Sequence, residues 1–271
     1  MLGHEFGHFE KRHSLYEFKK KRTGTDILAW ASVLAAMAPS RDVRQSYREL
    51  EVAVYGEIYR YGRDQEREAD LLGVSYLNKS GLRPQAASSV WLNVIGEAEA
   101  SASVRGLKKP NFTAIAFAAS HPPNAERATY LSLFADPEGY LRDDGEARYR
   151  EMLAPWLPIF LDDQVKLNDF GATEYILGNL AEHGWTAPLL FARGELYRAR
   201  GAQRDLVNAI NFYSGAIEQD PELAGAYRGL GLSLIKTGRT SEGQAALTRY
   251  LELEPEASDT KMIRLMLPTG E

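Results

Sequence analysis

The sequence predicts a mainly α-helical protein in two parts, and three observations carry that prediction. Apolar residues in the first half recur at three- and four-residue spacing, as in Val43, Tyr47, Leu50, Val54 and Ile58. In the second half Pro188, Pro221 and Pro255 lie 33 and 34 residues apart, the mark of an internal helical repeat. At the start, His4 and His8 are spaced by one helical turn, with Glu5 beside the first. The 271 residues are 44% apolar and 25% charged, enough for one large or two medium domains. A net charge of −5 suggests no nucleic-acid partner. Cysteine is absent, which excludes disulfides and thiolate ligands and restricts any transition-metal site to histidine and carboxylate.

Residues 1 to about 16 are expected to form one helix ending near the basic run Lys19-Lys20-Lys21-Arg22. On it His4 and His8 share a face, about 6 Å apart along the axis, so both imidazoles reach one ion. Glu5 points to the side, where it can take a proton from an activated water. This is the H-E-x-x-H arrangement of zinc peptidases. His13 lies off the metal-facing line and reads as a polar support or a surface residue. Thr23-Gly24-Thr25-Asp26 offers turn and N-cap chemistry. Ile27 to Ala38 is uncharged but covers only about 18 Å, too short for a bilayer of about 30 Å. A buried core helix is expected there, with a membrane-touching or flap-like segment as the alternative, and Pro39-Ser40 as its end.

Residues 42–79 are expected to be helical. Within them Glu66 and Asp70 share a face, so Glu66 can supply the missing ligand while Asp70 accepts the free N–H of a ligand histidine. Glu68 competes for the ligand role on spacing alone. Gly81 to Pro84 reads as a turn, 84–99 as a helix, 100–111 as a mobile loop and 112–119 as a small apolar helix or strand. His121-Pro122-Pro123 reads as a loop before a helix that carries Arg127. The turn-rich, charged run from Asp136 reads as a connecting segment, 136–156.

In the second half Tyr227, Leu230, Gly231, Leu234, Gly238, Leu247 and Pro255 fit a tetratricopeptide repeat. Gly194, Tyr197, Gly201, Ala209, Tyr213, Ala216 and Pro221 repeat the pattern one unit earlier. Residues 157–187 read as a degenerate first unit, which leaves the count at two or three, with His183 structural. Asp259 to Leu267 reads as the capping helix that a solenoid end needs.

HEFGH, the EREAD segment, HPPNAER and the repeats together resemble the HtpX/BepA branch of zinc metallopeptidases. That resemblance implies a helical zincin-type peptidase domain over residues 1–135, keeping little or no sheet, followed by a TPR-like α-solenoid over 157–271. It implies His4, His8 and Glu66 as zinc ligands, Glu5 as general base and Asp70 as support of a ligand histidine. His121 and Arg127 are placed at the active site, with His121 as oxyanion donor, substrate contact or latch. The chain starts three residues before His4, so a sequence shortened at its N-terminus is expected. The implied substrates are unfolded or misassembled envelope proteins in the periplasm or cell envelope. An outer-membrane assembly machine is the implied partner of the repeats, a peripheral membrane contact stays open, and oligomeric state is not legible. The alternative is an idle or latched repeat chaperone or scaffold that retains the zinc site.

Overall fold

The computed structural model describes residues 1–37 and 40–268. Among them the chain is helical: α1 (Leu2–Glu10), α2 (His13–Met37), α3 (Arg41–Lys79), α4 (Ala86–Val104), α5 (Asn124–Phe134), α6 (Glu146–Leu153), α7 (Leu157–Lys166), α8 (Phe170–Leu180), α9 (Ala187–Arg200), α10 (Gln203–Gln219), α11 (Ala224–Lys236), α12 (Thr240–Leu253) and α13 (Thr260–Arg264). The described residues hold no strand beyond one isolated bridge, Leu82 to Asp143. None of their helices is long and apolar enough to cross a membrane. Two compact units result: Met1–Ile95 with Pro110–Glu146, and Gly96–Lys109 with Ala147–Glu271.

The first unit is built on α3, a 39-residue helix whose N-cap Ser40 accepts from Val43 N at 3.2 Å. Its C-terminal half meets α1 almost backbone to backbone. A Cβ on Gly3 would stand 3.3 Å from Gly73 Cα, and one on Gly7 would stand 3.1 Å from Ala69 Cα. Small residues on both helices permit that approach, and it brings the side chains of α1 over those of α3. On the other side Val74 packs with Tyr130, Leu131 and Ala135, and with Leu71, Ala87 and Trp91.

Several sequence expectations are corrected here. The first helix does not continue to residue 16: Lys11 caps α1 and Arg12 takes a left-handed φ of 54°, so the chain turns and α2 starts at His13. Thr23 to Asp26 is not a turn but the middle of α2. Gly24 sits there because a Cβ would meet Val54 Cγ1 at 2.9 Å, and Thr25 Oγ1 donates back to Lys21 O at 3.0 Å, which satisfies its hydroxyl inside a helix. The apolar stretch after it is not a core helix. Leu28 is buried, but Trp30 is 72% and Leu34 66% exposed, because α2 presents only one narrow line to α3 and its apolar residues go all the way round. Ala38 and Pro39, the expected end of that stretch, lie outside the described residues.

Residues 100–104 are helical rather than a loop: α4 runs on to Val104 and stops before Gly106, whose φ is +65°. Residues 112–119 form neither helix nor strand. Asn111 Oδ1 accepts from Thr113 N at 3.0 Å in a local turn, and the Phe117 ring stands edge-on to Tyr59. The segment expected to connect, 136–156, is folded into a short 3-10 helix, Pro137–Leu141, and α6. Arg142 holds the first part down, donating to Asn78 O at 2.9 Å and to Asp136 Oδ2 at 2.5 Å.

The second unit contains two successive helix hairpins, α9/α10 and α11/α12, with α13 beyond them. Gly201 ends α9 with φ 74°, the left-handed position that glycine fills without strain. Tyr213 is fully buried on α10, and a Cβ on Gly194 of α9 would stand 2.6 Å from its ring. Ala216 is followed 34 residues later by Tyr250, which is buried against Ile263 of α13 and donates to Asp259 Oδ1 at 2.7 Å. A bulky residue fits there because α13 packs over it.

The α11/α12 contact gives a direct test. A Cβ on Gly231 would stand 2.6 Å from Leu247 Cγ and 2.8 Å from the carbonyl oxygen of Gly243. Backbone cannot swing aside as a side chain can. Gly231→Ala is therefore expected to cost about 1–3 kcal/mol in urea denaturation.

Candidate metal centre

On α1 the spacing of one turn puts His4 and His8 on the face pressed against α3. Their Nε2 atoms are 3.1 Å apart, with the rings edge-on at 4.7 Å between centroids. From α3, Glu66 brings Oε2 to 3.5 Å from His4 Nε2 and Oε1 to 3.4 Å from His8 Nε2. A tetrahedron with metal–ligand bonds of about 2.1 Å has edges of about 3.4 Å. The two imidazole nitrogens, each with a Glu66 oxygen at about this spacing, therefore lie close enough to share one ion. Glu66 Oε2 is also buried without a hydrogen-bond partner, the condition of an oxygen awaiting a cation. Among the described residues this trio is a group of histidine and acid side chains that could hold a metal ion.

The supports of the trio are equally specific. His4 Nδ1 lies 2.9 Å from Asp70 Oδ1, which leaves Nε2 free for a metal. Asp70 is buried and receives both arms of the Arg127 fork, Nε at 2.8 Å and Nη2 at 2.7 Å, together with the Tyr130 hydroxyl. Burial alone would raise the Asp70 carboxyl. The hydrogen bonds from His4, Arg127 and Tyr130 outweigh it and hold its pKa at about 2. Burial and the Asp70 bond push the Tyr130 phenol well above its ordinary value.

Arg127 lies beside the trio, its Nη2 3.8 Å from Glu66 Oε2. It is 4% exposed, spends its fork on Asp70 and lies 3.7 Å from the centroid of Trp91, so it holds the support of His4. Glu68, the competing ligand, points away from the trio: its oxygens lie 3.2 Å from Lys11 Nζ and 3.2 Å from His13 Nε2. His13 is not a surface histidine but is buried, 3% exposed. Sequence reasoning passed over Trp91 and Tyr130. Tyr130 stands one turn after Arg127 on α5, a spacing that could have flagged it, whereas nothing in the sequence marks Trp91.

Glu5 and His121 share a cavity of about 450 Å³ with His4, His8 and Glu66. Glu5 is exposed on α1, to the side of the two imidazoles. His121 sits in the loop before α5, 58% exposed, with Nδ1 2.7 Å from Ser120 Oγ and Nε2 3.5 Å from Glu66 Oε2. Burial lowers the pKa of His8, and the nearby Glu66 carboxylate only partly offsets it. A lowered pKa keeps this imidazole neutral, and able to bind metal, to a lower pH than a free one. Zinc affinity is therefore expected to hold from pH 8 to about 6 and to fall below that as protons compete for the imidazoles. Chelator competition across that range checks it, and a zinc content unchanged at pH 4 would contradict histidine ligation.

Residues 1–134 match the family described as Peptidase family M48. The chain is 29% identical over 131 residues to "Metalloprotease YcaL" of Escherichia coli (strain K12), an alignment covering 48% of this chain and 46% of that protein. It thus spans about half the length of the curated relative it matches. No solved structure matches it.

Proposed function

We propose, from the support that the family match lends to an M48 metallopeptidase in residues 1–134, that this chain is a zinc-dependent endopeptidase of unfolded or misassembled proteins of the cell envelope. The observation that carries the proposal is the convergence of His4 Nε2 and His8 Nε2, 3.1 Å apart, on the Glu66 carboxylate, one oxygen 3.5 Å from the first and the other 3.4 Å from the second, with the carboxylate of Glu5 at the same cavity. His4, His8 and Glu66 would hold the zinc, and Asp70 sets the first imidazole. Bound zinc supplies a Lewis acid that acidifies water and polarises the scissile carbonyl. Glu5 takes the proton from the water as its oxygen bonds to the carbonyl carbon. It returns that proton to the amine nitrogen as the C–N bond breaks. His121 serves the same cavity as oxyanion donor, substrate contact or latch.

The helical hairpins of residues 157–271, read as TPR-like repeats, would hold an extended substrate or a partner such as an outer-membrane assembly machine. The exposed apolar side of α2, which follows the basic run Lys19 to Arg22, supports a peripheral membrane contact. A second reading, a repeat scaffold with an idle or latched zinc site, is favoured by His121 standing 3.5 Å from a ligand oxygen. Casein cleavage separates the two. The peptidase reading expects cleavage that chelator abolishes and zinc restores, while chelator-insensitive or absent cleavage with zinc bound supports the scaffold.

A further inference from the structure

His4 and His8 are supported in different ways. His4 hands its outer nitrogen to a carboxylate directly, whereas the outer nitrogen of His8, Nδ1, lies 2.9 Å from another imidazole nitrogen, Nδ1 of His13. The two rings meet edge-on, 4.8 Å between centroids. Two neutral imidazoles can share such a contact only if one nitrogen carries a hydrogen and the other does not. His8 Nε2 faces His4 and Glu66, so a His8 that binds metal through Nε2 carries its hydrogen on Nδ1 and donates it. His13 Nδ1 must then accept, which puts the hydrogen of His13 on Nε2. That nitrogen lies 3.2 Å from Glu68 Oε2, a carboxylate that can only accept.

Every partner in this row agrees on one direction. Glu68 selects the His13 tautomer, and His13 in turn selects that of His8. The row is also held mechanically. Left-handed Arg12 reverses the chain so that His13 comes back under His8, and Gln65 of α3 donates Nε2 to the His13 carbonyl at 3.2 Å. Lys11 Nζ, 3.2 Å from Glu68 Oε1, keeps the carboxylate in place.

We propose that His13 and Glu68 are positioning residues that fix the tautomer and orientation of His8 for metal binding through an imidazole relay. The inference rests on the metal-centre reading given above. It also assigns work to the two residues of this region that the trio leaves unused.

The readout is the zinc dissociation constant, measured on the full chain by competition with a chromophoric chelator, together with the visible spectrum of the Co²⁺-substituted protein. His13→Phe keeps the bulk and removes the acceptor, and is expected to weaken zinc binding about 10–100-fold and to alter the Co²⁺ spectrum. His13→Gln, which restores an acceptor oxygen, is expected to recover most of that loss. Glu68 is half exposed, so Glu68→Ala tests the relay with little risk to folding. It is expected to weaken zinc binding several-fold in the wild-type background and to have no effect in the His13→Phe background. An equal Glu68→Ala effect in both backgrounds, or a His13→Phe protein that binds zinc as the wild type does, overturns the relay. His8→Ala distinguishes the two levels: if it too binds zinc like the wild type, the metal-centre reading itself has failed.

Discussion

Glu5→Gln is expected to lower casein hydrolysis by about 10²–10⁴-fold while the zinc content stays at the wild-type value. The amide keeps the size and the hydrogen-bonding reach of the carboxylate but cannot take the proton of the attacking water. Zinc should be unaffected because the trio of donor atoms comes from His4, His8 and Glu66 and not from Glu5. The loss should fall on kcat, with KM little changed, because proton transfer matters in the transition state and not in the bound substrate. Elemental analysis and a casein assay on the same preparation provide the check. A variant that keeps wild-type activity removes Glu5 from the chemistry.

The second large effect is expected at the buried ion pair. Arg127 and Asp70 are 4% and 5% exposed in their side chains and joined through both arms of the guanidinium. Arg127→Met would leave a carboxylate in the core without its countercharge, at a cost of about 3–5 kcal/mol in urea denaturation. Arg127→Lys should recover only part, since an ammonium cannot make the two-armed contact. The pH dependence has a definite sign. The Asp70 pKa is depressed to about 2 in the fold, so its stabilising contribution is complete above the ordinary carboxylate value. It is lost as pH falls through about 2. The wild-type protein should therefore keep this contribution at pH 4.5 and lose it progressively in stronger acid.

Much of the candidate site was legible in the sequence because helix geometry alone decides it. His4 and His8 one turn apart must share a face, and so must Glu66 and Asp70, whatever surrounds them. The meeting of the two helices was less legible. Gly3, Gly7, Ala69 and Gly73 mark the contact, but small residues also occur where nothing approaches: a Cβ on Gly178 would meet nothing within 4 Å. The break at Lys11-Arg12 was not legible, because a left-handed arginine leaves no composition signal, and without that break His13 falls on the wrong side. The pairing of Arg127 with Asp70 was not legible, since it depends on how α5 packs on α3. The helix hairpins of the second half were easier to read. Gly194, Tyr213 and Gly231 each fill a place that only a residue of that size can fill.

The seam between α1 and α3 has a thermodynamic consequence. Because two donors ride on one helix and the third on the other, with 57 residues of chain between His8 and Glu66, an ion that binds all three fastens distant parts of the chain together. Only the closed arrangement can do so, and ligand and fold are therefore coupled by mass action. Free zinc at a hundred times its dissociation constant should add about 2.7 kcal/mol to the stability of the first unit. A chelator would then act as a mild denaturant of that unit, and the melting temperature would climb with the logarithm of free zinc.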